Sequence, residues 1–273
     1  MIRGETRLFE ANQHISLLKG QWKLALELCH FTEDFNPLWL SKNTQFRIEQ
    51  LKKELLCQTE HLDSDADKLN ALIHFFFTQK SFSSFSKNEV NLQNAFIPYL
   101  LTSRKGPNEI LMLLFTSLAE KIGLKVQVTS ARIKYLLKVY IDNKPVIVDV
   151  GEKGVFLQPY EIVDLINRGF DFSARCPTPN SLMVEYLNML KKLARKNGDL
   201  NLLSFTHSYL MKYQPFNLKH LSERAAAAYQ TGDYKTAIED IRSYFLYKSP
   251  EVTNFHLKKI YKVARRLEKE YMR

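Results

Sequence analysis

The stretch Arg104-Lys105-Gly106-Pro107-Asn108-Glu109-Ile110-Leu111-Met112-Leu113-Leu114-Phe115, RKGPNEILMLLF, passes abruptly from polar to apolar. Pro107 suits the first turn of a helix, where its missing N–H is not needed. From Ile110 to Ile122 the chain is apolar nearly all round until Glu120 and Lys121, as expected of a helix buried on every side. Gly123 stands where glycine ends helices in a left-handed conformation. Free N–H groups at a helix start favour an anionic nucleophile. The polar residues at this start are Asn108 and Glu109.

After this helix the period changes. Lys125-Val126-Gln127-Val128-Thr129 alternates as a strand does, and two β-rich runs, Lys134–Ile141 and Val146–Val150, flank Asp142-Asn143-Lys144, a hairpin signal. Before the central helix, Leu24, Leu28, Phe31 and Phe35 recur at helical spacing, as do Ile48, Leu51 and Leu55. Asp63 to Asp67 offers capping groups for a helix through Leu69, Leu72, Ile73, Phe75 and Phe76. Residues 81–90 read as loop, and Asn91–Leu101 as a short helix limited by Pro98. The expected fold class is therefore α+β: helical N-terminal region, then an antiparallel sheet on one central helix.

The last hundred residues are helical and repeat themselves. Ala194-Arg195-Lys196-Asn197-Gly198-Asp199-Leu200 returns as Ala228-Tyr229-Gln230-Thr231-Gly232-Asp233-Tyr234, 34 residues later. Ser208-Tyr209 returns as Ser243-Tyr244, and Pro215 as Pro250, 35 residues later. A helix–turn–helix period of this length is that of tetratricopeptide repeats, with Ala225, Ala227 and Ala228 allowing close helix approach. One repeat cannot bury its own face, so two units and a closing helix, Val252–Tyr271, are expected to stack together. The expected division is 1–172 for the α+β domain and 173–273 for the repeats.

With 273 residues, 45% of them apolar, the chain can build one large or two smaller cores. No apolar run is long enough for a membrane span, and MIRGETRLFEANQ lacks the apolar region of a signal peptide. Cys29, Cys57 and Cys176 form no CxxC pair, so reduced thiols and a cytoplasmic location are expected. The net charge of +10 is concentrated C-terminally: residues 173–273 hold 18 Lys/Arg against 9 Asp/Glu, and residues 1–172 hold 21 against 20. An anionic partner would meet that last third.

Taken in order, these features resemble the bacterial transglutaminase-like proteins with C-terminal tetratricopeptide repeats, a group that includes proteins named as invasion-gene regulators. The resemblance runs from about residue 22 to 260. The quoted segment is similar to that group's RRGxPxxLxLLYLxxAxRLGL through Arg104-Lys105-Gly106, Leu111, Leu113-Leu114, Ala119 and Ile122-Gly123-Leu124. Lys134-Tyr135-Leu136-Leu137-Lys138-Val139 resembles its HFLLRV, and Val148-Asp149 its IDP. The resemblance implies a papain-like core whose chemistry uses a thiolate nucleophile, a His base and an orienting Asp. Carried onto this chain, the three positions are Asn108, Lys134 and Asp149. An amide is no substitute for a thiolate, and an ordinary lysine is a poor base near neutral pH. A shift of frame to Glu109 and Tyr135 does not help. The resemblance thus implies a degenerate site and a non-catalytic protein-interaction or regulatory module. Two rivals stand beside it: an enzyme performing acyl transfer or peptide hydrolysis through Lys134, Asp149 and a hydroxyl, and a nucleic-acid or polyanion binder. For Lys134 and Asp149, an ion pair on one face of the hairpin and a plain turn-closing role for Asp149 before Gly151 are both open.

The remaining candidates are weaker. The seven histidines show neither HxxxH nor HExxH spacing, so no metal site and no cofactor are expected. Cys29 reads as a core residue. No GxSxG surrounds Thr102, Ser103 or Ser117. The anion-binding surface, if there is one, would use Lys191, Lys192, Arg195 and Lys196 together with Lys258, Lys259, Lys262, Arg265, Arg266 and Lys269, the last six on a helix whose apolar stripe is Leu257, Ile260, Tyr261, Ala264 and Leu267. Tyr209, Tyr213, Tyr244 and Tyr247 would serve as stacking groups or pack within the repeats.

Overall fold

The computed structural model describes residues 37–86, 89–131, 134–168, 179–248 and 255–271. The helix expected through Leu24, Leu28, Phe31 and Phe35, the core role of Cys29, and Cys176 and Pro250 lie outside them, as does the expected boundary at 172/173. The chain forms two compact units, one up to Met183 and one from Val184.

In the first unit, helix α1 (Pro37–Thr59) precedes α2 (Asp65–Ile73). Ser64 caps α2 by accepting from the N–H groups of Ala66 at 3.2 Å and Asp67 at 3.3 Å. The helix continues as one wide π-helical segment, His74–Gln79, with Phe75 and Phe76 fully buried. Helix α3 (Ile97–Ser103) begins later than Asn91 because Asn91 and Asn94 bond each other's backbone N–H groups in a turn. Such side-chain bonds compete with helix formation. Pro98 then occupies the first turn of α3. Strand β1 (Ser83–Ser84) pairs in parallel with β2 (Lys105–Gly106), where a loop was expected.

Helix α4 (Asn108–Lys121) is the centre of this unit. All ten residues from Ile110 to Ala119 are buried, and the helix lies against α1, α2, α3, β3 and β4. Fully burying one Leu, Ile or Phe side chain contributes about 1.5–3 kcal/mol, so α4 dominates the stabilisation here. Phe115 meets Phe76 at 5.2 Å edge-on and stacks with Phe77 at 5.8 Å. Beyond it runs the sheet β3 (Lys125–Ala131), β4 (Lys134–Ile141), β5 (Lys144–Asp149) and β6 (Val155–Phe156), antiparallel and in chain order. The β4–β5 turn is Asp142-Asn143, both in the left-handed region with φ of 49° and 63°, as a two-residue hairpin turn requires. The pairs run from Ile141↔Lys144 to Leu137↔Val148, a register centred on Asp142-Asn143. A short amphipathic helix, α5 (Pro159–Asn167), follows.

The second unit contains α6 (Pro179–Asn197, whose first residues belong to the unit before), α7 (Leu200–Tyr213), α8 (Leu218–Gln230), α9 (Tyr234–Tyr247) and α10 (Phe255–Tyr271). The 34-residue offset is built into the backbone. Asp199 and Asp233 cap α7 and α9, accepting from Leu202 N–H at 2.9 Å and Thr236 N–H at 3.1 Å. Ahead of each stands a left-handed glycine, Gly198 at φ +71° and Gly232 at φ +83°. Ala225, Ala227 and Ala228 are buried where α8 runs beside α9 and α7. The closing helix α10 buries Leu257, Ile260 and Ala264 of its expected stripe, packing on Leu221, Ile241 and Tyr244.

One buried ion pair ties α8 to α9. The Arg224 guanidinium donates to Asp240 through Nε at 2.8 Å and Nη2 at 2.5 Å, and to Ser208 Oγ on α7 at 2.9 Å. Asp240 is only 3% exposed. Removing one partner leaves the other charge desolvated and unpaired. Asp240→Ala is therefore expected to destabilise the protein by about 3 kcal/mol, read by urea unfolding, with Arg224→Ala adding little on top of it in a double-mutant cycle.

Candidate functional site at the start of the central helix

The first residue of α4 is Asn108, which is exposed, whereas the helix behind it is buried. Pro107, extended at φ −60° and ψ 148°, turns the chain into the helix. Across from it, the chain leaves β5 at Asp149. A Cβ built on Gly151 would stand 2.8 Å from Asn108 Oδ1 and 3.0 Å from its Nδ2, so the amide packs directly on the Gly151 backbone. The helix start at Asn108 thus meets the backbone two residues beyond Asp149, the last residue of β5. Asp149 is 4% exposed, and its Oδ1 accepts from Glu152 N–H at 3.1 Å. The turn-closing role of Asp149 is therefore realised. Lys134 opens β4 opposite Ala131. Its side chain lies outside the described residues, so the proposed ion pair with Asp149 does too.

Chemically, this place offers helix N–H groups, an amide and a buried carboxylate engaged with the backbone. Among the described residues, no cysteine stands at it; Cys57, near the end of α1, is exposed. Thr102 and Ser103 bond backbone carbonyls of their own helix at 3.0 and 2.9 Å.

The basic residues of the second unit divide into two groups. Lys192 and Lys196 on α6, and Lys259, Lys262, Arg265 and Arg266 on α10, are exposed, with Lys258 half-buried. Arg266 lies 3.8 Å from Glu270, and the Arg265 guanidinium stands 5.7 Å from the Tyr261 ring centre. Arg195 instead turns to Glu223 on α8, Nη2 to Oε1 at 2.5 Å. Lys191 is half-buried, and burial holds its ammonium below the usual lysine range. Of the four tyrosines, Tyr244 is buried and Tyr209 packs on Phe205 at 4.8 Å, while Tyr247 is exposed.

Sequence reasoning missed one constellation. His207 on α7 and His220 and Glu223 on α8 converge, their ligating atoms all within 4.8 Å of one another. His207 is fully buried and His220 is 3% exposed. Their Nδ1 atoms are 3.3 Å apart, and His207 Nε2 lies 3.1 Å from Glu223 Oε2. Burial lowers the pKa of His207, and lowers that of His220 to about 4. For Glu223 burial pulls upward, but His207 and Arg195 outweigh it and bring the carboxyl down to about 2. The available signal was His220-x-x-Glu223, one helical face, combined with the hairpin that folds α7 back onto α8.

The model of the transglutaminase-like superfamily matches residues 42–195, more than half of the chain. The chain belongs to this superfamily. The matched region holds α1 to α6 of the described residues, including the α4 start, β5 and the sheet. Comparisons with curated proteins and with solved structures give no match.

If the α4 start retains the electrostatics that favour a thiolate, Asn108→Cys will give a thiol with a pKa below the ordinary value of about 8.5. Peptide-resolved iodoacetamide labelling against pH is expected to show Cys at 108 reacting faster at pH 7 than Cys57.

Proposed function

We propose that this transglutaminase-like protein is a pseudoenzyme, a non-catalytic cytoplasmic module of bacterial type that binds a protein partner or regulates one. The observation that carries this reading is Asn108: the exposed position at the start of the buried helix, beside the Gly151 backbone, carries a carboxamide. A carboxamide supplies no nucleophile for acyl transfer. The α6–α9 helices, with Asp-capped second helices 34 residues apart, support a tetratricopeptide-like second part, and such arrays present surfaces for protein segments. The rival enzymatic reading would need Lys134 and Asp149 to work with a hydroxyl. Asp149 is already engaged with the Glu152 N–H, which weighs against it. With fluorogenic peptide and ester substrates, the full chain is expected to show no turnover above buffer. Turnover that disappears in Lys134→Ala or Asp149→Ala would overturn the proposal.

A second reading is favoured by the exposed Lys259, Lys262, Arg265 and Arg266 along α10: a polyanion such as nucleic acid docks there. Four phosphate contacts would weaken binding by about 100-fold between 50 and 200 mM salt. Fluorescence anisotropy with single-stranded and duplex oligonucleotides tests this. The reading predicts that steep decline and a further loss in the Lys262→Glu/Arg266→Glu double variant; salt-independent or absent binding removes it.

A further inference from the structure

In the α7–α8 hairpin, the hydrogen-bonding capacity of His207, His220 and Glu223 does not balance. His220 Nε2 lies 2.9 Å from Gln214 Oε1, an oxygen that only accepts; the tautomer protonated at Nε2 donates to it and leaves Nδ1 bare. Asn217 Nδ2, 3.2 Å from the same ring nitrogen, also lies 3.4 Å from Gln214 Oε1 and donates there. The bare His220 Nδ1 faces His207 Nδ1 at 3.3 Å. If His207 carries its proton on Nδ1, its Nε2 lone pair faces the Glu223 carboxylate at 3.1 Å. If the proton is on Nε2, two bare Nδ1 atoms face each other instead. With neutral rings and the Gln214 oxygen facing His220, one contact between two acceptors remains. His207 Nε2 and Glu223 Oε2 are both buried, lie 3.1 Å from each other, and have no other hydrogen-bond partner. A cation bound by these atoms removes the conflict.

We propose that His207, His220 and Glu223 form a binding site for a divalent transition metal of zinc type. Two imidazoles and one carboxylate suit zinc, copper or nickel, whereas calcium and magnesium take oxygen ligands. In a tetrahedral zinc site, bonds of about 2.0–2.2 Å place neighbouring ligand atoms roughly 3.3–3.5 Å apart. The measured 3.1 and 3.3 Å separations lie near that spacing, though they use different His207 nitrogens. A single His207 nitrogen must serve, and the ligand atoms, within 4.8 Å of each other, close the remainder by side-chain rotation. Gln214 holds His220 from behind in the way that outer groups fix metal-binding histidines. Against the metal stand the positive charges of Arg195 and Lys219, 2.5 and 3.9 Å from Glu223 Oε1, and of nearby Lys191. They leave Oε2 available but make the site weaker than a closed structural zinc site.

The full chain titrated with Zn²⁺ by calorimetry, and with Co²⁺ by visible absorption, tests this. One equivalent is expected to bind, with affinity at least ten-fold lower in His207→Ala and in Glu223→Gln and unchanged in Cys57→Ser. Truncating the fully buried His207 can unfold the hairpin, so Glu223→Gln, which keeps shape, is the deciding variant, with helicity checked by circular dichroism. No binding overturns the proposal. So does binding undiminished in Glu223→Gln, which would mark capture by other histidines or cysteines, and so does protonation of His207, followed by NMR, without any metal uptake.

Discussion

The burial of α4 on every side is the constraint on which the first unit depends. A helix with no solvent face along ten consecutive residues must be enclosed by other elements. Here α1, α2 and α3 and the strands β3 and β4 do so. Its one exposed residue before that run is Asn108, where free N–H groups meet water. The same burial that stabilises the unit therefore fixes where its reactive end can be. Whatever the residue at 108 does, it does so on a rigid support, because the helix behind it cannot shift without disturbing Phe76, Phe77 and Phe115 together.

The second unit rests on a different balance. Its helices run from 13 to 19 residues and pack on an apolar cluster, and two polar assemblies join them as well. Arg224 joins α7, α8 and α9 through three hydrogen bonds to Ser208 and Asp240. Glu223, its neighbour in sequence, has one oxygen held by Arg195 and the other 3.1 Å from His207 Nε2. Adjacent residues on one helix point in different directions, so α8 carries two polar networks side by side.

Much of this architecture was legible in the sequence. The central helix, the Asp142-Asn143 hairpin, and the duplicated Gly-Asp turn each carry a strong local signal: an apolar run, a pair of residues tolerant of positive φ, a fixed offset. The β1–β2 pairing was not legible, since two residues show no period. The start of α3 was misplaced because Asn91 and Asn94 form a mutual turn that propensity does not reveal. At the α4 start, the packing of Asn108 on Gly151 required coordinates. The histidine cluster escaped because its members lie on two helices, with spacings no linear motif records. Arg195 was grouped with a solvated basic face, yet an internal carboxylate claims it.

The two left-handed glycines at the repeated turns differ from Gly151 in one respect. Nothing lies within 4 Å of a Cβ built on Gly198 or Gly232, so no neighbour resists a side chain there. Only torsional preference guards these positions, and asparagine or aspartate meets that preference far more cheaply than valine or isoleucine. The two turns can therefore accept a small polar alphabet while keeping their geometry.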